Sequence, residues 1–161
     1  MKKIFYIFLF PALLFAEKPF TDNAISKQEM EIAIGESKIF IANKENYAIV
    51  NRDWLEKFHA KHKKEYFKYI GDETFLCTNF TAKFISDVSE EFSKDSFYSW
   101  IRKKATGIAV GEKWYITDIG TFHALVIVFT ENGLEFFEPQ TGKFVDLTES
   151  EKTSSYLIKF N

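Results

Sequence analysis

The sequence is poor in residues that interrupt or cross-link a chain: it has one cysteine, three prolines and seven glycines in 161 residues. Nineteen phenylalanines are spread between these few breaks, which excludes a disordered chain and indicates a globular protein. The sequence also lacks a block of basic residues, and its formal net charge is −2. A nucleic acid is therefore not expected as a partner.

The first sixteen residues have the pattern of a secretory signal peptide. Lys2 and Lys3 precede the apolar stretch 4–15, and Ala16 offers a small residue for cleavage. The stretch is too short for a membrane span, and Glu17 stands where a lipid-anchored lipoprotein would need cysteine. We expect residues 17–161 to form one exported domain, secreted or periplasmic, with no stable membrane span after cleavage.

The lone cysteine, Cys77, is unusual for an exported chain, in which cysteines commonly pair as disulfides. It can be buried and inert, paired between two chains, or reactive. Phe80, Phe84 and Val88 follow it at helical spacing, so Cys77 lies near the start of a predicted helix. The unpaired N–H groups and the dipole of a helix start stabilise a thiolate, which favours the reactive alternative.

Hydrophobic periodicity divides the rest of the chain into early helices and late strands. Ser26 and Glu29 have capping-box spacing for a short helix that ends near Gly35, and an amphipathic helix follows over about 51–69. The segments KIFIA and YAIV predict short strands on either side of the turn NKEN. From Gly107 onward, GIAVGEKWYI, HALVIVF and LEFFE alternate with a period of two, with ENG as a turn and with KFVDL and SSYLIKF as candidate edge strands. The predicted fold class is α+β, a single domain with N-terminal helices packed on a C-terminal antiparallel sheet.

A histidine and a glutamate mark the two ends of the most apolar predicted hairpin. His123 begins the strand HALVIVF, and Glu138 ends the strand that follows. These strand ends are neighbours in a hairpin, so the carboxylate can accept a hydrogen bond from the ring and fix its tautomer. A turn at Asn132 and Gly133 places Glu138 opposite Ile127, so facing His123 needs a shifted turn or a bulge at Gly133.

These segments resemble parts of a known family. FLCTNFTAKF and HAL…FFEPQTG are similar to the cysteine and histidine segments of papain-like, or transglutaminase-like, cysteine peptidases, nearest the catalytic domain of Marasmius-type fungal agglutinins and related phage and bacterial domains. The resemblance covers roughly residues 47–146. It implies Cys77 as nucleophile, His123 as general base and Glu138 as orienting acid. The sequence offers no set of metal ligands, and no cofactor is expected. Gln140 and Asn79 are the candidates for oxyanion or substrate contacts, because the glutamine that precedes the cysteine in papain-like enzymes has no counterpart here.

The resemblance implies an exported cysteine peptidase-like hydrolase that cleaves peptide or isopeptide bonds through a thioester of Cys77. Its partner would be a peptide or protein substrate, with peptidoglycan peptides included. Three alternatives stay open: a transglutaminase with the same triad, a cell-wall peptide amidase, and a secreted binding or inhibitor protein without activity. The amidase motif DCSG is absent, and the missing oxyanion glutamine favours the inactive alternative.

Other polar and aromatic candidates are assigned to the core. His59 and His62 are three residues apart on one predicted helix, but the further ligands of a zinc site are missing. Both are interpreted as histidines at the edge of the core. Trp100, Trp114 and Tyr115 could line a cleft, and core packing is the expectation for a chain this aromatic.

Overall fold

The computed structural model describes residues 18–35, 39–42, 44–67, 77–94, 101 and 104–160. The predicted signal peptide, the segment GDETF before Cys77 and the side chain of Trp100 lie outside these residues. Within the described part of the chain, no helix is long and apolar enough to span a membrane.

Strands and helices alternate along the described residues. The strands are β1 (Phe20–Ser26), β2 (Ile39–Ile41), β3 (Asn46–Val50), β4 (Gly107–Ile108), β5 (Val110–Ile116), β6 (Phe122–Thr130), β7 (Gly133–Glu138), β8 (Lys143–Val145) and β9 (Ser155–Phe160). The helices are α1 (Lys27–Ile34), α2 (Arg52–Phe67), α3 (Cys77–Ser93) and α4 (Glu149–Thr153). Strand β1 and helix α4 are additions to the predicted elements.

All nine strands join one mixed sheet. Strand β6 pairs antiparallel with β5 and with β7, and β7 continues antiparallel into β8. On the other side of β5 lie β9 and then β2, which runs parallel to β9. Strand β3 pairs antiparallel with β1, and in parallel with β4 and with the end of β6. Strand β6 is thus paired on both sides over residues 126–128, while its start, residues 122–125, pairs with β5.

This topology corrects the predicted fold class. Strands β1 to β3 precede α2 and enter the same sheet, and three of the pairings are parallel, so the layout of N-terminal helices on an antiparallel sheet is wrong. KIFIA and YAIV do not pair with each other, because β2 instead extends the sheet beside β9. SSYLIKF, expected at an edge, lies between β5 and β2. The described residues form a mostly β mixed sheet with four helices, and not a papain-like α+β fold.

Helix α1 begins and ends where its local sequence predicts. The Ser26 side chain accepts a hydrogen bond from the Glu29 N–H (3.2 Å), and the Glu29 carboxylate accepts one from the Ser26 N–H (2.8 Å). Such a cap stabilises a helix by about 1 kcal/mol. Gly35 ends the helix with a φ of 65°, a left-handed conformation that favours glycine.

The core occupies both faces of the sheet. Helices α2 and α3 cover one face, where Phe84 of α3 stacks on Phe137 of β7 with ring centroids 5.0 Å apart. Met30 of α1 packs with Ile127 and Phe129 of β6 on the other face. Burying each large apolar side chain contributes about 1.5–3 kcal/mol, so these contacts fix α3 against the strands. The start of α3 is thereby placed beside the start of β6.

Candidate functional site

His123 and Glu138 form a direct pair at the start of β6. The ring Nε2 of His123 donates a hydrogen bond to Oε2 of Glu138 at 2.6 Å. The Glu138 side chain is 12% exposed and that of His123 24%, so the pair is shielded but open to a ligand. A carboxylate in this position fixes the tautomer and orientation of the ring.

The register of the β6–β7 hairpin explains how the two side chains meet. Thr130 pairs with Gly133, so the two-residue turn consists of Glu131 and Asn132. In this register Glu138 continues the ladder opposite Leu125, two residues from His123 and on the same face of the strand. Diagonal neighbours on one face are about 7–8 Å apart at the backbone, a distance that Glu and His side chains can bridge. A bulge at Gly133 is therefore not needed.

The turn after β7 holds the Glu138 carboxylate from behind. Its second oxygen, Oε1, accepts a hydrogen bond from the backbone N–H of Gln140 at 2.9 Å. The carbonyl oxygen of Glu138 accepts from the N–H groups of Gly142 (2.8 Å) and Thr141 (3.2 Å). Both carboxylate oxygens are thus engaged, and the side chain is held in one orientation. Gln140 supports the site through its backbone, while its side chain is exposed.

Cys77 is the first residue of α3 and is half-buried with a free thiol. One helical turn later, the hydroxyl of Thr81 donates to the carbonyl oxygen of Ala124, the residue after His123, at 3.2 Å. Residues four apart lie on the same side of a helix, about 6 Å apart along its axis. This bond therefore anchors the face of α3 that carries Cys77 against the start of β6.

Tyr115, predicted from the sequence to pack in the core, lies directly beside His123. It pairs with His123 across β5 and β6, and the two rings meet edge to face with centroids 5.7 Å apart. Burial raises the pKa of Tyr115 to about 12, and the negative charges of Glu151, Glu138 and Cys77 add to the rise. The phenol therefore keeps its proton to a higher pH than an exposed tyrosine does.

The remaining predicted residues lie apart from this pair. Asn79 is exposed on α3 two positions after Cys77, and residues two apart do not share a helix face. His59 is buried under the turn after β7, and its Nε2 donates to the Pro139 carbonyl at 2.8 Å. The ring of His62 packs on Phe58. Among the described residues, no group of three or more His, Cys, Asp and Glu is placed to hold a metal ion.

An exposed group of aromatic rings, the aromatic patch, lies at the same end of the sheet and consists of Trp114, Phe122 and Tyr156. Phe122 meets Trp114 edge to face with centroids 5.7 Å apart, and it meets Tyr156 at 5.6 Å. Phe122 is 48% exposed and Tyr156 54%. The indole N–H of Trp114 donates to Glu112 at 2.9 Å, and Lys159 lies 4.0 Å from the same carboxylate. Apolar rings and charged groups therefore share one accessible surface.

A β-bulge creates this surface. Trp114 pairs with Leu157 and Tyr115 with Ser155, which leaves Tyr156 as an extra residue in β9. A bulge redirects the side chain of the extra residue, and here that side chain reaches Phe122. Sequence periodicity does not reveal a bulge, so the patch has no sequence signal beyond the aromatic residues themselves.

Comparisons with known proteins give structural matches only. No protein-family model and no curated protein matches the sequence. The structure titled "PSL1a-E64 complex" matches with a TM-score of 0.56 and 15% identity, over 85% of this chain and 50% of that chain. Polyporus squamosus lectin, bound to the human-type influenza-binding epitope Neu5Acα2-6Galβ1-4GlcNAc, matches with a TM-score of 0.55 and 16% identity, over 76% of this chain and 42% of that chain. The chain spans about half the length of these structures, and at this identity the likeness shows the fold alone.

These matches overturn the predicted family. The fold is shared with a lectin structure, so the assignment to papain-like or transglutaminase-like cysteine peptidases is wrong. The physical reason lies in the motifs that suggested it. A cysteine at a helix start and a histidine and an acid at the ends of a hairpin are local features, and local features do not fix the topology of a sheet.

The predicted function and partners are corrected with the family. The predicted cysteine peptidase-like hydrolase is wrong, and so are its enzymatic alternatives, the transglutaminase and the cell-wall amidase. The expected peptide, protein and peptidoglycan substrates are wrong as well, because the ligand named for the matching lectin is a glycan.

Proposed function

We propose that the protein is a carbohydrate-binding protein rather than a hydrolase. The observation that carries the proposal is the aromatic patch, in which two large rings are about half exposed beside charged groups. Clustered exposed apolar groups with a polar rim mark ligand surfaces on soluble proteins. The matching lectin is bound to a glycan, which supports a carbohydrate as the ligand class.

The patch has the chemistry that a sugar ring requires. A pyranose presents an apolar face of C–H groups and a rim of hydroxyl groups. The ring faces of Phe122 and Tyr156 can cover the C–H face, while Glu112 accepts from hydroxyl groups and Lys159 donates to them. Lys159 also offers a cation for the carboxylate of a sialic acid.

The proposal is tested by titrating the protein with Neu5Acα2-6Galβ1-4GlcNAc and following backbone amide signals by NMR. We expect saturable shifts at the residues of β5, β6 and β9 that surround the aromatic patch. The disaccharide Galβ1-4GlcNAc, which lacks the sialic acid, separates recognition of the carboxylate from recognition of the neutral sugars. Absence of binding to a panel of neutral and acidic glycans would contradict the proposal.

We also infer that Cys77, His123 and Glu138 act as one reactive group. Two observations support this assignment: the His123–Glu138 hydrogen bond and the anchoring of the first turn of α3, which carries Cys77, at Ala124. In this assignment His123 accepts the thiol proton, Glu138 orients the ring, and Gln140 and Asn79 are the remaining candidates for ligand contacts. The role concerns capture of an electrophilic ligand and requires no turnover.

Alkylation of the single thiol by iodoacetamide tests this second assignment. We expect His123→Ala to slow alkylation by about tenfold or more, because the ring no longer accepts the thiol proton. His62→Ala serves as the matched control, since His62 lies on α2, away from Cys77 on α3, and its ring packs on Phe58 of the same helix. Equal rates in the three proteins would show that Cys77 reacts on its own. E64, which is present in the PSL1a complex, is a second probe, and intact-protein mass spectrometry reports whether it becomes covalently attached.

A further inference from the structure

We propose that His59 is a positioning residue for the site at the start of β6: its ring fixes the turn 138–142 and thereby the carboxylate that Glu138 presents to His123. His59 belongs to α2 and is 3% exposed. Its Nε2 donates to the carbonyl oxygen of Pro139 at 2.8 Å, the residue directly after Glu138. A carbonyl oxygen can only accept, so the proton on Nε2 is fixed by this contact.

The far end of the turn also rests on the His59 ring. A Cβ atom added to Gly142 would lie 2.1 Å from Nδ1 of His59, which means that the backbone of Gly142 is in close contact with the ring. The N–H of Gly142 in turn donates to the carbonyl oxygen of Glu138 at 2.8 Å. The ring therefore touches both ends of the turn whose middle residue, Gln140, holds the Glu138 carboxylate.

His59 also links this turn to the helix of Cys77. Its ring lies 5.9 Å from that of Phe84 on α3 and 5.7 Å from that of Phe137, which precedes Glu138. One side chain thus contacts the body of α3, the end of β7 and the turn after it. A change in the protonation state of a residue in this position can alter the geometry of the site, although the residue does not touch the ligand.

The surroundings of His59 favour its neutral form. Burial lowers the pKa of His59 below its ordinary value of 6.5, the hydrogen bond to Pro139 opposes this shift, and Lys63, one turn later on α2, adds to it. From α3 the ring faces Phe84, while Lys83 and Asp87 of that helix pair with each other. From the turn, the Glu138 carboxylate is already engaged by His123 and Gln140. Protonation of His59 therefore places a cation among aromatic rings, which opposes the closed turn.

The sign of the pH dependence follows from this preference. Above about pH 6.5 the ring is neutral in the folded and in the open turn, and the closed turn has its full stability. As the pH falls below 6.5, the open turn binds a proton more readily than the closed one, so the closed turn is lost progressively. We expect the His123–Glu138 contact to loosen in the same range.

Amide hydrogen exchange at Gln140 and Gly142 tests the proposal, because both N–H groups donate to Glu138. We expect His59→Phe, which keeps a ring but removes the donor, to lower both protection factors by about tenfold at neutral pH, as for one lost hydrogen bond. His59→Gln keeps an N–H for Pro139 and cannot be protonated. It should retain protection at neutral pH and also keep it below pH 6.5, where the wild type loses it.

Amides in the middle of β6 provide the reference in each sample, since they report global unfolding. The proposal is overturned if wild type and His59→Gln lose protection in parallel as the pH falls, or if His59→Phe matches the wild type. Should His59→Phe fail to fold, the comparison of wild type with His59→Gln still decides the question. The role of His59 at the site rests on the proposed function, but the exchange experiment needs no ligand, so failure of glycan binding and failure of this proposal are separate results.

Discussion

Glu138 reaches His123 across a diagonal of the β6–β7 ladder: it lies opposite Leu125, yet its carboxylate is 2.6 Å from the His123 ring. Side chains alternate between the faces of a strand, so a shift of one residue in the hairpin would turn Glu138 away from His123. The turn at Glu131 and Asn132 therefore determines whether the pair exists. The turn that follows β7 then holds the carboxylate in place through the backbone N–H of Gln140.

Removing the Glu138 carboxylate should cost stability as well as orientation. Glu138→Ala leaves the Gln140 N–H and the His123 ring N–H without their acceptor, and we expect the free energy of unfolding to fall by about 1–3 kcal/mol in urea denaturation. Glu90→Ala, on the exposed side of α3, is the matched control and should stay within about 0.5 kcal/mol of the wild type. Similar losses in the two variants would argue against a structural role for the pair.

Features that depend on near neighbours in the sequence are the ones that the sequence predicts well. The capping box of Ser26 and Glu29, the helix start at Cys77 and the approach of Glu138 to His123 all follow from short-range spacing. The pairing of β2 with β9 joins segments near opposite ends of the chain, and no local pattern specifies it. The predicted fold class is wrong for this reason. The sheet includes the early strands β1, β2 and β3, and the two-residue period of the late strands does not show that these early strands pair with them.

The contacts of three residues near the site could not be predicted from the sequence, because they depend on how distant elements align. Tyr115 meets His123 only because of the register of β5 and β6, and Tyr156 reaches Phe122 only because of a bulge. The role of His59 depends on the packing of α2 against the turn after β7. Each of these depends on how distant elements align, whereas periodicity reports only which face of its own element a residue occupies.

The phenol of Tyr115 should ionise later than an exposed tyrosine. Its pKa of about 12 predicts a transition near pH 12 in an ultraviolet difference titration, and Tyr115→Phe should remove it. Because the raised pKa belongs to the folded state, the contribution of this phenol to stability is complete below about pH 10 and is lost as the pH rises towards 12. A titration of Tyr115→Phe that still shows the transition would assign it to another tyrosine.

The aromatic patch should carry most of the glycan affinity. Tyr156→Ala removes an exposed ring from the bulge, and we expect it to weaken binding of Neu5Acα2-6Galβ1-4GlcNAc by about tenfold, while far-ultraviolet circular dichroism stays unchanged. Ile32→Ala provides the control, because Ile32 is 72% exposed and belongs to α1, a helix that contributes no residue to the patch. Binding that is insensitive to Tyr156→Ala but present in the wild type would place the glycan elsewhere.

Two glycines with the same backbone conformation separate strain from steric contact in the turn after β7. Gly142 and Gly120 have φ values of 72° and 79°, so alanine at either position costs roughly 1–2 kcal/mol of backbone strain. A Cβ at Gly120 meets nothing within 4 Å, but one at Gly142 overlaps the ring of His59. We therefore expect Gly142→Ala to lower the free energy of unfolding by a further 1–3 kcal/mol, roughly the cost of overpacking, relative to Gly120→Ala. Equal losses in urea denaturation would mean that the ring of His59 moves aside without cost, and the close contact between α2 and the turn would then contribute nothing to holding Glu138.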